Sequence, residues 1–524
     1  MPNPHGRQLF TAVLHGSVSE RFAYDQVAYD TEANTEAHPR SMATLGRLFG
    51  VATAAPSRAR VLEIGCGDGE HLIAAAAYLP DARFVGFDLS AEAIARGEHA
   101  ARAIGIMNVE LLHRDVRDVR DVRDSGPFDY VVAHGVYSWV PETIRDSVLA
   151  VVRSALSETG IGFISMNAVP GWELRRALRI LMQEAARDAV EPGAKVRAAL
   201  ALVDDLAGAS GDGFVSVLAT AAQEYLAHVT QATPPDAPFS HYVFHDLLAE
   251  CNDAFSVDAL EQRLGAHGLR IVCETPLFSS RAATSEDTDL RWLAAQMAES
   301  GSPFLQVLVC RADATPTTAP ALAAIRDMHL WADLAPIDAA ATTPDTYRTT
   351  TGAVLRATGD AGLARAARSA PGFVPIRSLA DDEASLGDLA RDLFAASSEG
   401  LLTIASEPAP IAKRSPAPRV TPHVRQHARA ASVAQAHSAV LTSALHRSFR
   451  IPWTELVVIR ELDGETGEDE LRARVRRAIA GGSAELAGRA LASGDERAIA
   501  AHVEAVLDRF ERYGFFVARE DAGT

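Results

Sequence analysis

The sequence predicts an α/β protein built on a Rossmann-like, doubly wound parallel sheet, and three observations carry that expectation. Between residues 60 and 170, short apolar runs alternate with helical stretches, as strands buried on both faces require. A glycine cluster follows the first apolar run directly. Acidic residues end the second and third runs, at the edge where open α/β sheets bind ligands.

Taken in order, Arg60–Ile64 is the first strand and His71–Leu79 the first helix of the alternation. Arg83–Phe87 is the second strand. The helix Ala91–Ile104 follows, with Ser90 placed to cap its unpaired first-turn N–H groups. Val109–Leu112, Phe128–Ala133 and Gly162–Met166 complete five strands, and a helix at Glu142–Leu156 precedes the last. The triplet Val-Arg-Asp repeats three times over residues 116–124. That period is too short for a solenoid and reads as a solvated loop. Residues 1–50 show only short helices and the aromatic cluster Phe22, Tyr24 and Tyr29.

From Glu173 to about Glu250 the pattern turns helical, then a helix at 256–267 leads to strands at Leu269–Cys273 and Phe304–Val309. An Ala/Thr/Pro stretch, Ala312–Pro320, opens a mixed section. Five prolines between 406 and 422 mark a second linker or extended arm. The last hundred residues read as helices at 426–445, 453–461, 469–480 and 496–513. The expected units are a core over 1–172, a helical insertion over 173–250 that could serve dimerisation or regulation, and final core strands over 251–311. A mixed middle domain over 312–405 and a mostly helical domain over 423–524 complete the chain. A rival reading makes 220–310 an independent α+β domain.

At 524 residues the chain exceeds one ordinary core. No apolar run approaches the roughly 20 residues of a membrane span, and residues 1–10 lack a signal-peptide core. Cys66, Cys251, Cys273 and Cys310 show no CxxC spacing, so reduced, packed thiols and a cytoplasmic location are expected. The net charge of −18 argues against nucleic-acid binding. Solubility is its simplest role, while steering of a cationic substrate is the alternative. His423, His427, His437 and His446 are too irregularly spaced for a zinc site and read as helix surface and packing, so no metal is expected.

The loop after the first strand reads Gly65-x-Gly67-x-Gly69, with Glu63 two residues before it. Glycines there permit positive φ and close approach to a ligand. Dinucleotide sites use the longer G-x-G-x-x-G spacing. The tighter form with a preceding acid suits S-adenosylmethionine (SAM). Asp88, with Leu89 after it, stands where an acid bonds ribose hydroxyls. Asp115, with Val116, ends the third strand within reach of an adenine amino group. His134 and Gly135 open from the fourth strand, and Cys66 is a small loop filler. A class I methyltransferase sheet needs seven strands, so the two late strands are read as its sixth and seventh.

Residues 128–141, Phe-Asp-Tyr-Val-Val-Ala-His-Gly-Val-Tyr-Ser-Trp-Val-Pro, continue the resemblance, with Ser165-Met166-Asn167 and Pro170-Gly171-Trp172. So do Tyr24-Asp25-Gln26-Val27-Ala28-Tyr29 and His38-Pro39. Together they resemble the bacterial methyltransferases with a methyltransferase regulatory domain, which include outer-membrane-protein lysine methyltransferases. Leu462-Asp463-Gly464-Glu465 resembles that family's small, winged-helix-like C-terminal domain. Two departures stand out. Gly69-Glu70-His71 replaces Gly-Gly-Asn, and Met166 replaces a tyrosine.

The resemblance implies methyl transfer to an amine, foremost protein lysine, with a possible homodimer and no membrane insertion. Tyr137 and Trp139 are expected to line the acceptor channel beside Trp172, with Tyr24 and Tyr29 folding over as a lid. Asn167 could hold the acceptor amine or simply cap a loop. His134 could act as base, or pack against the cofactor and bond the loop. A small-molecule methyltransferase and a non-catalytic SAM-binding partner protein are the alternatives.

Overall fold

The computed structural model describes residues 23–29, 31–209, 211–232, 239–277, 293, 297, 299–337, 346–349, 352–357, 361–433, 438–481 and 495–518. Phe22 and His437 lie outside them.

The central sheet holds β1 (Arg60–Ile64), β2 (Arg83–Asp88), β3 (Val109–His113), β4 (Phe128–Ala133) and β5 (Leu156–Ala168). A two-residue strand, β6 (Ala254–Phe255), pairs with the end of β5. β7 (Leu269–Glu274) and β8 (Phe304–Arg311) then complete the order β3-β2-β1-β4-β5-β8-β7. All neighbours are parallel except β8, which runs antiparallel to both β5 and β7. The late strands therefore lie in the same sheet as the first five.

The alternation is built from helices α1 (Ala23–Gln26), α2 (Pro39–Leu48), α3 (Glu70–Ala76), α4 (Ala91–Ile104), α5 (Arg120–Asp124) and α6 (Glu142–Ala155). Ser90 caps α4 as expected, its hydroxyl accepting from Ala93 N–H at 3.0 Å. The Val-Arg-Asp triplets are not simply a solvated loop. Their last repeat forms α5, because Val119 and Val122 are buried against the sheet.

The insertion comprises α7 (Trp172–Ala185), α8 (Pro192–Ala207), α9 (Phe214–Ala232) and α10 (His241–Asp246), packed around its own apolar core. α11 (Val257–Ala266) returns the chain to the sheet. The middle section has a three-stranded sheet of β9 (His329–Ala332), β13 (Gly372–Pro375) and β14 (Thr403–Ala405). Between them, β10 (Ala335–Pro336), β11 (Thr346–Arg348) and β12 (Val354–Arg356) form another. Helices α12 (Ala361–Arg368) and α13 (Glu383–Ser398) pack on it, and one continuous apolar core joins this section to the inner face of the main sheet. The 312–320 stretch is tied down too, with Thr317 N–H donating to Phe49 O at 2.8 Å.

The C-terminal domain holds α14 (Pro422–Val433), a hairpin of β15 (Ser438–Thr442) and β16 (Ser448–Pro452), then α15 (Trp453–Ile459), α16 (Glu468–Gly481) and α17 (Glu496–Tyr513). Within the range expected as one helix, 426–445, the helix covers residues to Val433 and Ser438–Thr442 is a strand. Pairing and the burial of Leu441 override its helical composition.

This domain docks on α2 and α3 through polar contacts. Arg40 Nη1 donates to Ala444 O at 3.1 Å, Thr35 Oγ1 to His446 O at 2.7 Å, and Tyr78 Oη to Thr442 O at 3.2 Å. His446 Nε2 lies 2.9 Å from His71 Nδ1, and its ring also meets His38. Burial holds His38 and His446 well below the ordinary imidazole value and pushes His71 down to about 3. Imidazoles released on unfolding take up protons that the docked ones refuse. Stability from these groups is full above the ordinary value of 6.5 and falls as pH drops toward about 3. The loss is about 1.4 kcal/mol per pH unit for each histidine. Thermal unfolding should therefore begin at lower temperature at about pH 5.5 than at about pH 7.5; an unchanged or higher midpoint would contradict the argument.

Candidate functional site

The glycine loop is shaped by close approach. Gly65, Gly67 and Gly69 all have positive φ, at 68°, 57° and 75°. A Cβ on Gly65 would meet Val136 Cγ2 at 2.6 Å, and one on Gly67 would meet Thr31 Cγ2 at 2.7 Å. Gly65 and Cys66 N–H both donate to Phe87 O, which pins the loop to the end of β2. Cys66 fills the space beside Gly86, and burial pushes its thiol pKa up, as suits a filler.

Asp88 holds this geometry. Its carboxylate accepts from Gly67 N–H at 2.9 Å and from Ser90 N–H at 2.7 Å. Burial nonetheless raises its pKa, with those N–H donors opposing the shift. Glu63 is buried below the loop, raised well above the ordinary carboxyl value by burial and by Asp88 and Asp68. Among the described residues its Oε2 has no hydrogen-bond partner, an orphan acceptor that a bound ammonium would satisfy. Next to Asp88, Leu89 is 47% exposed, an open apolar surface. Asp115 is already engaged, accepting from Arg117 Nε at 2.9 Å and Nη2 at 2.6 Å, with Val116 half-buried beside it.

His134 sits on the fourth strand's exit, with Nδ1 3.0 Å from Ser165 Oγ and Nε2 3.3 Å from Asn34 Nδ2. The Asn34 amide is fixed, because its Oδ1 accepts from Glu36 and Ala37 N–H. Its Nδ2 must therefore donate to His134 Nε2, and Nδ1 carries the imidazole proton toward Ser165. Burial pushes His134 down to about 4. With its lone pair committed, His134 positions the loop and is poorly placed as a base. Gly135 N–H also donates to Ser165 Oγ, at 2.8 Å.

The aromatic expectations need correction. Tyr137 is fully buried against Phe255 in the outer core of the sheet, and its hydroxyl has no partner among the described residues. Trp172 belongs to the insertion's apolar core. Neither lines an open channel, because aromatics just beyond a strand end also seal the core. Met166 is likewise core. Trp139 is half-exposed, its ring edge-on to Phe304. Tyr24 and Tyr29 pair with the insertion: Tyr24 stacks on His245 at 4.3 Å, and Tyr29 meets His241 and His245 edge-on. Asn167 is buried at the end of β5, its Nδ2 donating to Asn252 Oδ1.

Other residues carry the site without a local sequence signal. Asp25 accepts from Ser90 Oγ at 2.5 Å, Thr31 Oγ1 donates to Asp68, and Val27 O bonds His245 Nε2 at 2.7 Å. Residues 24–29 and Thr31 thus link the glycine loop to α10. Glu70, immediately after Gly69, meets His423 Nε2 at 2.9 Å and His427 Nε2 at 3.4 Å. Their ligand atoms lie within 4.8 Å, close enough for a divalent cation. The 2.9 Å separation is that of a hydrogen-bonded ion pair. Burial alone would raise the Glu70 carboxyl, but the two histidines outweigh it and hold it far below the usual range. Gly97 on α4 is a further hidden constraint, since a Cβ there would lie 1.9 Å from Asp68 O. Gly97→Ala should therefore weaken SAM binding at least tenfold by displacing the loop; wild-type affinity in a calorimetric titration would contradict this.

Comparisons with known proteins agree with this geometry. A family model described as a methyltransferase domain matches residues 61–160, and one described as the PKMT C-terminal winged helix domain matches 417–515. An uncharacterised protein of Rickettsia prowazekii is 34% identical over 265 residues, 49% of this chain and 45% of that one. A second from the same organism is 35% identical over 164 residues, 31% of this chain and 65% of that one. The matched stretches thus span less than two thirds of either relative. The structure of PKMT2 from Rickettsia typhi in complex with AdoHcy superposes with a TM-score of 0.76 at 22% identity, over 94% of this chain and 100% of that one. The fold is shared throughout. The chain therefore joins a stretch that matches a methyltransferase domain to one that matches the PKMT C-terminal winged helix domain.

Proposed function

We propose that this chain methylates the side-chain amine of lysine residues in a protein acceptor, using SAM. The observation that carries the reading is the pairing of two features. A glycine cradle with the unsatisfied acid Glu63 beneath it fits a cationic cofactor, and a PKMT-type winged helix domain docks on the residue that follows it. When bound, SAM supplies an electrophilic methyl group on a sulfonium.

The chain's own residues do the rest. Gly65, Gly67 and Gly69 admit the cofactor against bare backbone. Glu63 faces its ammonium, Asp88 accepts from its ribose hydroxyls, and Asp115 serves the adenine amino group once Arg117 swings away. His134, held neutral, adds no cation that would repel the acceptor. An acceptor lysine must shed a proton, which an aromatic setting such as that of Trp139 favours once the acceptor covers it. The net charge of −18 supports a basic acceptor segment.

Two further parts belong to this reading. Leu174, Ile180, Val190, Phe214, Val215 and Val217 expose apolar surface on the insertion, which supports a homodimer through that element. Four free cysteines support a reducing, cytoplasmic setting. No helix among the described residues is long and apolar enough to cross a membrane.

Asp88→Ala should weaken SAM binding by about 100-fold with the fold retained, because it removes the ribose acceptor and frees the Gly67 N–H. Labelled SAM incubated with cell-envelope protein and, separately, a small-molecule extract tests the acceptor. Label should appear on protein; label in small molecules alone would overturn the lysine assignment.

A further inference from the structure

We propose that Asp246, with Tyr24 and Tyr242, forms the binding site for the acceptor's alkylammonium group. The inference rests on the amine-methyltransferase reading above and names the residues that receive the amine.

The first observation is an unfilled buried acceptor. Asp246 ends α10 and is 5% exposed, and its Oδ2 has no hydrogen-bond partner among the described residues. The rest of the carboxylate is held by the Tyr242 hydroxyl, which donates to it, and by a long bond from Asn252 Nδ2 to Oδ1, at 3.4 Å. Two arginines act on it from α7, but their head groups are committed elsewhere. The Arg175 guanidinium lies over the Trp172 ring at 5.6 Å, and Arg179 Nη2 donates to the carbonyls of Ala249 and Glu250. A carboxylate taken out of water and left half-satisfied is costly unless a cationic donor completes it. An alkylammonium is such a donor.

The second observation is the company it keeps. Tyr24 and Tyr242 both feel the Asp246 charge, and burial raises both their hydroxyl pKa values. Tyr24 is stacked on His245, the residue before Asp246, and Tyr29 sets its edge against His241 and His245. Aromatic faces and phenol oxygens around one carboxylate suit an ammonium at any degree of methylation. Burial holds the Asp246 carboxyl up near 6, so it is still ionised at neutral pH.

The third observation is position. Tyr24 carries the charge influence of both Asp88 and Asp246, and its ring stacks on His245, the neighbour of Asp246. Residues 24–29 fix that relation, bonding Ser90 through Asp25 at one end and His245 through Val27 O at the other. From the sheet side, Asn167 reaches Asp246 through Asn252, whose Nδ2 donates to Asp246 O. Asn167 therefore positions the insertion's carboxylate at the sheet edge.

The test uses the full chain loaded with AdoHcy and two synthetic ten-residue peptides, one with a central lysine and one with acetyl-lysine. The wild type should bind the lysine peptide at least about tenfold more tightly. Asp246→Asn should abolish that preference while its affinity for AdoHcy stays within about twofold. A preference that survives Asp246→Asn, or one absent from the wild type, overturns the site. If that variant fails to fold, a peptide carrying a diazirine lysine analogue is photocrosslinked to the wild type. Adducts within 24–29 or 241–246 support the site, and adducts confined elsewhere overturn it. Transfer of label to protein amines by an Asp246→Asn enzyme that keeps its lysine preference sinks this site alone. Label that never reaches an amine sinks the broader reading.

Discussion

The carboxylate of Asp88 receives two backbone N–H groups, one from the middle of the glycine loop and one from the cap of α4, and the site is organised around that clasp. It joins the end of β2 to the loop after β1, so neither can shift alone. Gly97 lets α4 slide against Asp68 O, and Gly86 makes room for Cys66 under the loop. The acid is therefore a structural pin of the loop. Preorganisation of this kind spares binding the cost of ordering the loop.

Glu70 and His71, directly after the glycine loop, acquire a physical meaning once the C-terminal domain is in place. Glu70 pairs with His423 and His427, and His71 with His446. Both are residues that the winged helix domain touches. The glycine loop thus continues directly into the surface that holds the distant domain, and α3 serves both. A perturbation of that docking has a two-residue path to Gly69.

Much of this was legible in the sequence because it is written locally. The strand alternation, the Ser90 cap, the three glycines and the acid after β2 each depend on neighbours a few residues away. What escaped depends on long-range pairing. Asp246 meets Asn167 through Asn252, and Glu70 meets His423 across 353 positions, without any local spacing to betray them. Tyr137 and Trp172 misled for the opposite reason, since an aromatic beyond a strand end has the same local context whether it faces a ligand or seals a core. The stretch after Val433 looked helical by composition, and only its partner strand made it extended.

One feature of the architecture bears on how the molecule unfolds. The inner face of the main sheet and the middle section share a single apolar core, in which Phe84, Tyr130 and Leu308 belong to the same cluster as Leu330, Leu393 and Ile404. The sheet's opposite face keeps a separate core around Val131, Val148 and Leu260. Cutting the chain after β8 would still leave the other face of the sheet wetted, so the sheet and the middle section melt as one cooperative body.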